Sequence, residues 1–408
     1  MPERFDVAVV GGGAAGLVAA ISVARRGFSV VVLERLPRAG KKLLASGGGR
    51  CNLLNDNPSA AAYTSSDPGL VIAVFDRFGR AEIRAFFEGL GLRLQTDENG
   101  RVYPATNQAA SVFKVLELEV GRLGVAVEIR FEAERVEASA GGFSVAAADG
   151  RKVEARAVIL AGGGKSYPAL GSNGSCYGLA AAFGHRIVQP VPSAVPILVK
   201  DRMCHFLQGL KLKARVSSRI GGRLAQTSEG ELLFTKYGLS GTAILDVSES
   251  LSIALNREGK KDGAVVVDLV PFMSEDELAA EFSRRQDAGW AVEDLAAGLL
   301  PEKFALVVPQ LLREADFPDG KTKKGKVARG LAAALKAREF HVLGTRGWNE
   351  AEFTSGGVDA REVKPQTLES KLRKGLYFAG EILDVQGGRG GYNLAWAWAS
   401  GFVAGLTE

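Results

Sequence analysis

The chain reads as an α/β protein, a parallel sheet with helices, whose middle is taken up by antiparallel strands and then a small group of helices. Three observations predict this. Short apolar runs pass straight into glycines at 5–16, 157–164 and 376–380, as buried parallel strands do when they enter close-packed turns. From Pro190 the apolar positions alternate instead, which suits antiparallel strands. From Ser274 they adopt helical spacing. A chain of 408 residues also exceeds what one hydrophobic core usually supports, so more than one domain is expected.

The opening carries the strongest signal. Phe5 to Val10 (FDVAVV) is a β-branched apolar run, followed at once by Gly11, Gly13 and Gly16 in the spacing G-x-G-x-x-G. Leu17 to Ala24 then has helical character. Gly11 allows a tight turn, Gly13 lets the backbone approach a pyrophosphate, and Gly16 lets the helix pack against the strand. The pyrophosphate would rest on the helix N-terminus, held by Gly11, Gly13, Ala14, Ala15 and Gly16. A second strand, Ser29 to Leu33, ends in Glu34. A carboxylate there accepts hydrogen bonds from both hydroxyls of an adenosine ribose and repels a 2′-phosphate. The motif predicts a dinucleotide and leaves FAD and NAD equally open.

Composition narrows the class. Hydrophobic residues make up 46% and charged residues 24%, ordinary for a globular protein. A net charge of +5 favours an anionic ligand only weakly, and nucleic acid is not the expected partner without a localised patch. Cys51, Cys176 and Cys204 are far apart and His185, His205 and His341 lack ligand spacing, so no metal site is expected. Glu3, Arg4 and Asp6 argue against a secretory leader, and no run of eighteen apolar residues suits a membrane span. The expected setting is the cytoplasm.

After Glu34 and Arg35 comes KKLLASGGGRCNLLN, residues 41–55. Gly47, Gly48 and Gly49, flanked by Lys42, Ser46, Arg50, Cys51 and Asn52, read as a loop of bare amides able to wrap a flat polar ligand. Arg50 would face a phosphate or an anionic substrate, whereas Cys51 is not taken as catalytic. Helices are expected at 81–91 and 111–123, and strands at 125–130 and 135–147 pairing around a Gly141-Gly142 turn. Val136 is a candidate for a backbone contact to adenine, an ordinary ladder position being the alternative. Ala161, Gly162 and Gly163 end the second strand-to-glycine run, and the segment that follows, with a helix from about Ser175 to Phe183, reads as a second loop over the same ligand.

Three prolines in PVPSAVPILVK mark a boundary. Strands at 210–217, 223–226, 231–235 and 264–270 suggest a small antiparallel barrel or sandwich. Ser274 and Glu277 form a capping box, and helices are expected over 274–286, 291–298, 301–314 and 326–338. The run Lys321, Lys323, Lys324 and Lys326 reads as a solvated turn. In the tail, a strand at Tyr377 to Ala379 stops at Gly380, placing Glu381 and Asp384 just past a strand end, where open α/β sheets bind ligands. A glycine loop then leads through Gly391, Tyr392, Asn393 and Leu394 into a helix with Trp396 and Trp398.

The paired ends, a strand–glycine–strand–Glu opening and a closing FAGE before a last helix, resemble the glutathione-reductase-type FAD fold. More specifically, KKLLASGGGRCN, GGGKSYPALGSNG, GELLFTKYGLSGTAIL and GLYFAGEILDVQGGRGGYNLAWAWASG resemble the BaiN/YhiN-type flavoproteins, with aminoacetone-oxidase-like and bile-acid-intermediate reductase members. QGGRGGYN departs from the DGxxGGYN-like stretch of that family, so Gln386 and Arg389 change the charge there. The resemblance implies a three-layer, Rossmann-like FAD-binding domain of residues 1–190 and 340–408, a β-barrel-like domain of 191–272 and a helical insert of 273–339. It implies bound FAD, with Glu381 and Asp384 on the ribityl chain and the amides of Gly391 to Leu394 at the pyrimidine edge. The helix end there would favour negative charge on the ring by roughly 0.5–2 kcal/mol. The expected activity is oxidation–reduction of a small organic substrate entering between the FAD domain and the insert, with NAD(P)H or an amine-type compound as electron donor. A flavin-dependent RNA-modifying protein and a non-catalytic flavin sensor stand as alternatives.

Overall fold

The computed structural model describes residues 4–57, 60–139, 141–314 and 324–406. Glu3, Lys321 and Lys323 lie outside them. The chain divides into two compact units, Met1–Pro190 with Phe353–Glu408, and Val191–Glu352.

The first unit is built on a parallel sheet. Arg4–Val10 lies between Val30–Glu34 and Lys152–Leu160; Ala126–Ile129 adds to the outer side of Val30–Glu34, and Leu376–Phe378 to the far side of Lys152–Leu160. Apart from the edge strand Ala126–Ile129, which is largely exposed, these strands are buried over most of their length, which explains their apolar runs. A hairpin, Ala133–Ser139 and Gly142–Ala147, pairs antiparallel with the start of Lys152–Leu160. The expected pairing of 125–130 with that hairpin is thus corrected. The earlier strand joins the parallel sheet because Glu34 bonds onward: the Phe131 N–H donates to its carbonyl.

The two ends of the chain meet in a helix pair. Ala14–Arg25 packs on Tyr392–Ala404, and a Cβ on Gly401 would lie 2.3 Å from the Ala15 carbonyl oxygen. Ser22 seals the contact by donating to the Phe402 carbonyl at 3.0 Å. Trp396 and Trp398 are buried in this core. Each anchors a loop rather than merely filling space: their indole N–H groups donate to Gly380 (3.1 Å) and Leu53 (2.9 Å).

The second unit is a rolled antiparallel sheet in the order 338–341, 263–268, 211–220, 223–235, 238–240, 197–198, 344–345. Its two edges belong to one bent segment. The Val342 N–H donates to Gly263 on one side and the next, Leu343, to Leu198 on the other, so the sheet closes on itself. Residues 223–235 form one strand where two were expected, because the hairpin with Lys211–Ile220 pairs along its whole length. Glu275–Asp287 begins on the expected capping box, with the Glu277 N–H donating to Ser274 Oγ at 3.2 Å. The helix expected at 291–298 is only a 3₁₀ turn at Val292–Asp294, and 301–314 divides into Glu302–Leu306 and Val308–Glu314. Lys324–Lys336 ends early because Arg338–His341 joins the sheet. Sheet and helices share one core that includes Phe234, Phe282, Phe304 and Phe340. Among the described residues no helix is long and apolar enough to cross a membrane.

Candidate functional site

The parallel strands end together. The Gly11 N–H donates to Leu33 at 2.9 Å and the Ala161 N–H to Val10 at 2.8 Å, so the two glycine turns leave neighbouring strand ends. A Cβ on Gly16 would lie 1.9 Å from the Gly11 carbonyl oxygen, and one on Gly11 2.6 Å from that of Ala161. Both positions exist for close approach. Gly13 differs, with nothing within 4 Å of its Cβ position. It is the N-cap of Ala14–Arg25, without a side-chain cap and without an acid in the first turn. The first intrahelical bond runs from Leu17 to Gly13, so the amides before Leu17 have no acceptor within the helix. Open space over acid-free amides suits an anion.

Glu34 stands directly behind this turn. Its Oε2 accepts from the Gly12 N–H (2.9 Å) and its Oε1 from the Leu36 N–H (2.7 Å). Burial pushes its carboxyl above the usual glutamate value, against the pull of these two amides. Each oxygen keeps lone-pair capacity for a ribose hydroxyl. Gly12, which the spacing argument passes over, is what ties the acid to the turn. Arg35 pairs with Glu132 at 3.3 Å. Val136 is a buried ladder residue opposite Val145.

The stretch read as a loop at 41–55 begins as a helix, Lys41–Gly49, which breaks at Ser46. Gly47 and Gly48 continue in left-handed turns (φ 57° and 65°), a conformation that side chains resist. Their backbone is exposed. Ser46 Oγ donates to Leu43 at 2.6 Å, and Cys51 is sealed inside, where burial pushes its thiol up to about 12, so it is no nucleophile. Lys42 leaves this helix to bridge Ser166 Oγ (2.6 Å) and Glu381 Oε2 (2.7 Å). The other oxygen of Glu381 accepts from the Thr354 N–H at 2.8 Å. Thr354 Oγ1 in turn accepts from the Lys165 (2.7 Å) and Ser166 (3.2 Å) amides. Four segments of chain are thereby knotted around one carboxylate. Ser166 and Thr354 were not singled out beforehand; the KSYP and EFTSGG stretches that carry them were their only signal. Asp384, three residues beyond Glu381, is buried.

The last helix starts at Gly391, again without a side-chain cap or first-turn acid. Here the approach is tight. A Cβ on Gly391, at φ 103°, would lie 2.6 Å from the Leu54 carbonyl oxygen and 2.8 Å from Asn52 Oδ1. Asn393 locks the preceding loop, donating to Gly387 (2.6 Å) and accepting from its N–H (2.9 Å). Tyr392 hydrogen-bonds Asn57 through its hydroxyl, and Leu394 is half-buried. Gly162 abuts Cys176 and Gly163 abuts Ser172, so neither position has room for a side chain. Asn52 Oδ1 is buried without a hydrogen-bond partner. An orphaned acceptor beside a row of helix amides fits a flat ring edge that carries carbonyl oxygens and one N–H, as the flavin pyrimidine does. The residues present therefore suit FAD: the first helix for the pyrophosphate, Glu34 for the ribose, and Asn52 with residues 391–394 for the ring edge.

The family described as HI0933-like protein Rossmann domain matches residues 5–407. A 3-dehydro-bile acid delta(4,6)-reductase of Clostridium scindens is 38% identical over 407 residues, 98% of each chain. A ribosomal RNA dihydrouridine synthase of Escherichia coli is 30% identical over 409 residues, 98% of this chain and 97% of that one. The solved 3-ketosteroid-delta4-(5alpha)-dehydrogenase of Rhodococcus jostii, 17% identical, shares the fold with a TM-score of 0.50 over 99% of this chain and 96% of that one. With its matching fold and a site suited to the cofactor, the chain belongs to the HI0933-like Rossmann family and is an FAD-dependent oxidoreductase.

Proposed function

We propose that the protein reduces a carbon–carbon double bond conjugated to a carbonyl group, using NAD(P)H as electron donor. The observation that carries this reading is the unpartnered Asn52 Oδ1 beside the acid-free start of the last helix, a surface suited to holding the reactive end of the cofactor. The relatives support the choice of reaction. A delta(4,6)-reductase of a 3-dehydro-bile acid and a dihydrouridine synthase both saturate such a bond. The net change is a hydride delivered to the carbon β to the carbonyl, a proton added at the α carbon, and NAD(P)H converted to NAD(P)⁺.

Bound FAD supplies the two-electron chemistry, and the chain supplies position and electrostatics. In this reading the amides ahead of Leu17 hold the pyrophosphate and Glu34 the adenosine ribose. Glu381 and Asp384 hold the ribityl chain, with Glu381 fixed by Lys42, Ser166 and Thr354. Gly47 to Gly49 offer bare backbone to the ring, and the helix end at 391–394 favours negative charge on its pyrimidine side.

The test is anaerobic. The purified yellow protein is mixed with NADH or NADPH, and bleaching of the flavin band is followed; an enone is then added under the same conditions. Bleaching by a nicotinamide and recovery with a saturated product are expected. No recovery with any enone, despite bleaching, refutes the assigned reaction. Unchanged FAD content in Glu34→Arg refutes the ribose assignment.

A further inference from the structure

The strand Arg101–Pro104 lies beside the segment that carries Asn52: the Leu53 N–H donates to Val102 at 2.7 Å, and Asn55 pairs with Arg101. Arg101 and Tyr103 are two residues apart on this strand and therefore project from the same face. Arg50 lies over the Tyr103 ring with its guanidinium carbon 5.1 Å from the centroid, so Tyr103 is only 8% exposed although Arg50 itself faces solvent. Arg101 is also exposed, and its Nε lies 3.9 Å from the Cβ position of Gly390, the residue before the cap of the last helix. Asn55 holds that loop in place by donating to the Gly390 carbonyl at 3.0 Å.

Neither guanidinium has a carboxylate partner among the described residues. The acids nearby are engaged elsewhere. Asp56 pairs with Arg84 and Arg80, and Asp97 Oδ1 accepts the backbone amides of Asn99 and Arg101. The exposed arginines of this unit divide between ion-paired ones, such as Arg122 and Arg361, and others, such as Arg38 and Arg93, that have no ion pair among the described residues. What sets Arg50 and Arg101 apart is their placement: Arg50 lies on the ring of Tyr103, and Arg101, two residues earlier on the same strand face, lies beside the start of the last helix, so both cations stand at the edge of the cofactor site.

We propose that Arg50 and Arg101 recognise an anionic group, a carboxylate, on a small organic substrate. The inference rests on the reading of this site as the one that reduces a conjugated double bond. A small anion is favoured over RNA because Tyr103 is covered by Arg50 and offers no face for stacking a base.

The experiment uses the FAD-loaded protein and two probes, a steroid 3-oxo-4-ene carboxylic acid and its methyl ester. Binding is read from perturbation of the flavin spectrum and turnover from product formation. The acid should bind about tenfold or more tighter than the ester in low salt, as a charge-assisted contact requires. That preference should fall towards one in Arg50→Gln/Arg101→Gln and partly return in Arg50→Lys/Arg101→Lys. FAD content, read from each variant's absorbance, separates loss of the anion site from loss of the fold. Equal binding of acid and ester, binding of neither, or an unchanged preference in the double Gln variant overturns the proposal. So does a uridine-containing ribosomal RNA fragment that displaces the acid and loses affinity in the same variant, which assigns the arginines to RNA. If the acid binds with the expected preference yet neither probe is reduced, the anion site stands and the assigned reaction fails.

Discussion

The first and last helices of the FAD-binding unit begin alike and are enclosed differently. Both start at a glycine, lack a side-chain cap and carry no acid in the first turn. Around Gly13 the space is open; around Gly391 the Leu54 backbone and Asn52 close in to under 3 Å of where a side chain would begin. An open helix end backed by a carboxylate suits a hydrated, doubly charged pyrophosphate and its ribose. A crowded end, with its loop locked by Asn393, suits a flat ring edge that must be held at one angle. The same device, free amides at a helix start, is thus set in two different surroundings, one open and one crowded.

The contrast can be broken by substitution. Gly16→Ala forces a Cβ to 1.9 Å from a backbone oxygen and should cost about 3 kcal/mol or more, seen as a lowered melting temperature and a colourless protein. Gly391→Ala meets both an unfavourable φ and the Leu54 backbone; about 2–3 kcal/mol is expected in denaturant titration, with weaker FAD retention. Asn393→Ala leaves the 387–388 loop without its clamp, costing about 1–2 kcal/mol, and should shift the flavin reduction potential more than Gly13 variants do.

Gly13→Ser sharpens the contrast from the other side. The open space accepts the hydroxyl, which caps the helix and stabilises the FAD-free protein by about a few tenths of a kcal/mol. The same hydroxyl competes for the pyrophosphate amides, so FAD dissociation by ultrafiltration should increase. The smallest effect concerns Glu34. Because burial raises its folded pKa above the unfolded value, the stability linked to its protonation is fully present below the ordinary glutamate value near 4.5 and is lost as pH rises through the folded value. Denaturant titrations of the FAD-free protein from pH 4 to 7 should show this decline in the native protein and a flatter profile in Glu34→Gln.

Much of this was legible beforehand, for reasons local to the chain. The opening strand, glycine turn, helix and terminal acid are contiguous, so spacing alone states their geometry. The capping box at Ser274 and Glu277 is equally local. Other readings failed where a distant partner decided the outcome. Residues 126–129 joined the parallel sheet rather than the neighbouring hairpin, and 338–341 became a strand because the rolled sheet needed a closing segment.

By itself, then, the sequence determined where backbone had to be bare and which turns could hold a phosphate. It could not show that Lys42, Ser166, Thr354 and Glu381 form one cluster, or that Gly12 rather than a side chain secures Glu34. Nor could it place Arg50 over the ring of Tyr103, or Arg101 beside Gly390. Such pairings join residues up to 339 positions apart. They have no periodicity or spacing to read, because they are set only when strand ends and helix starts are brought within hydrogen-bonding reach by the packing of the core.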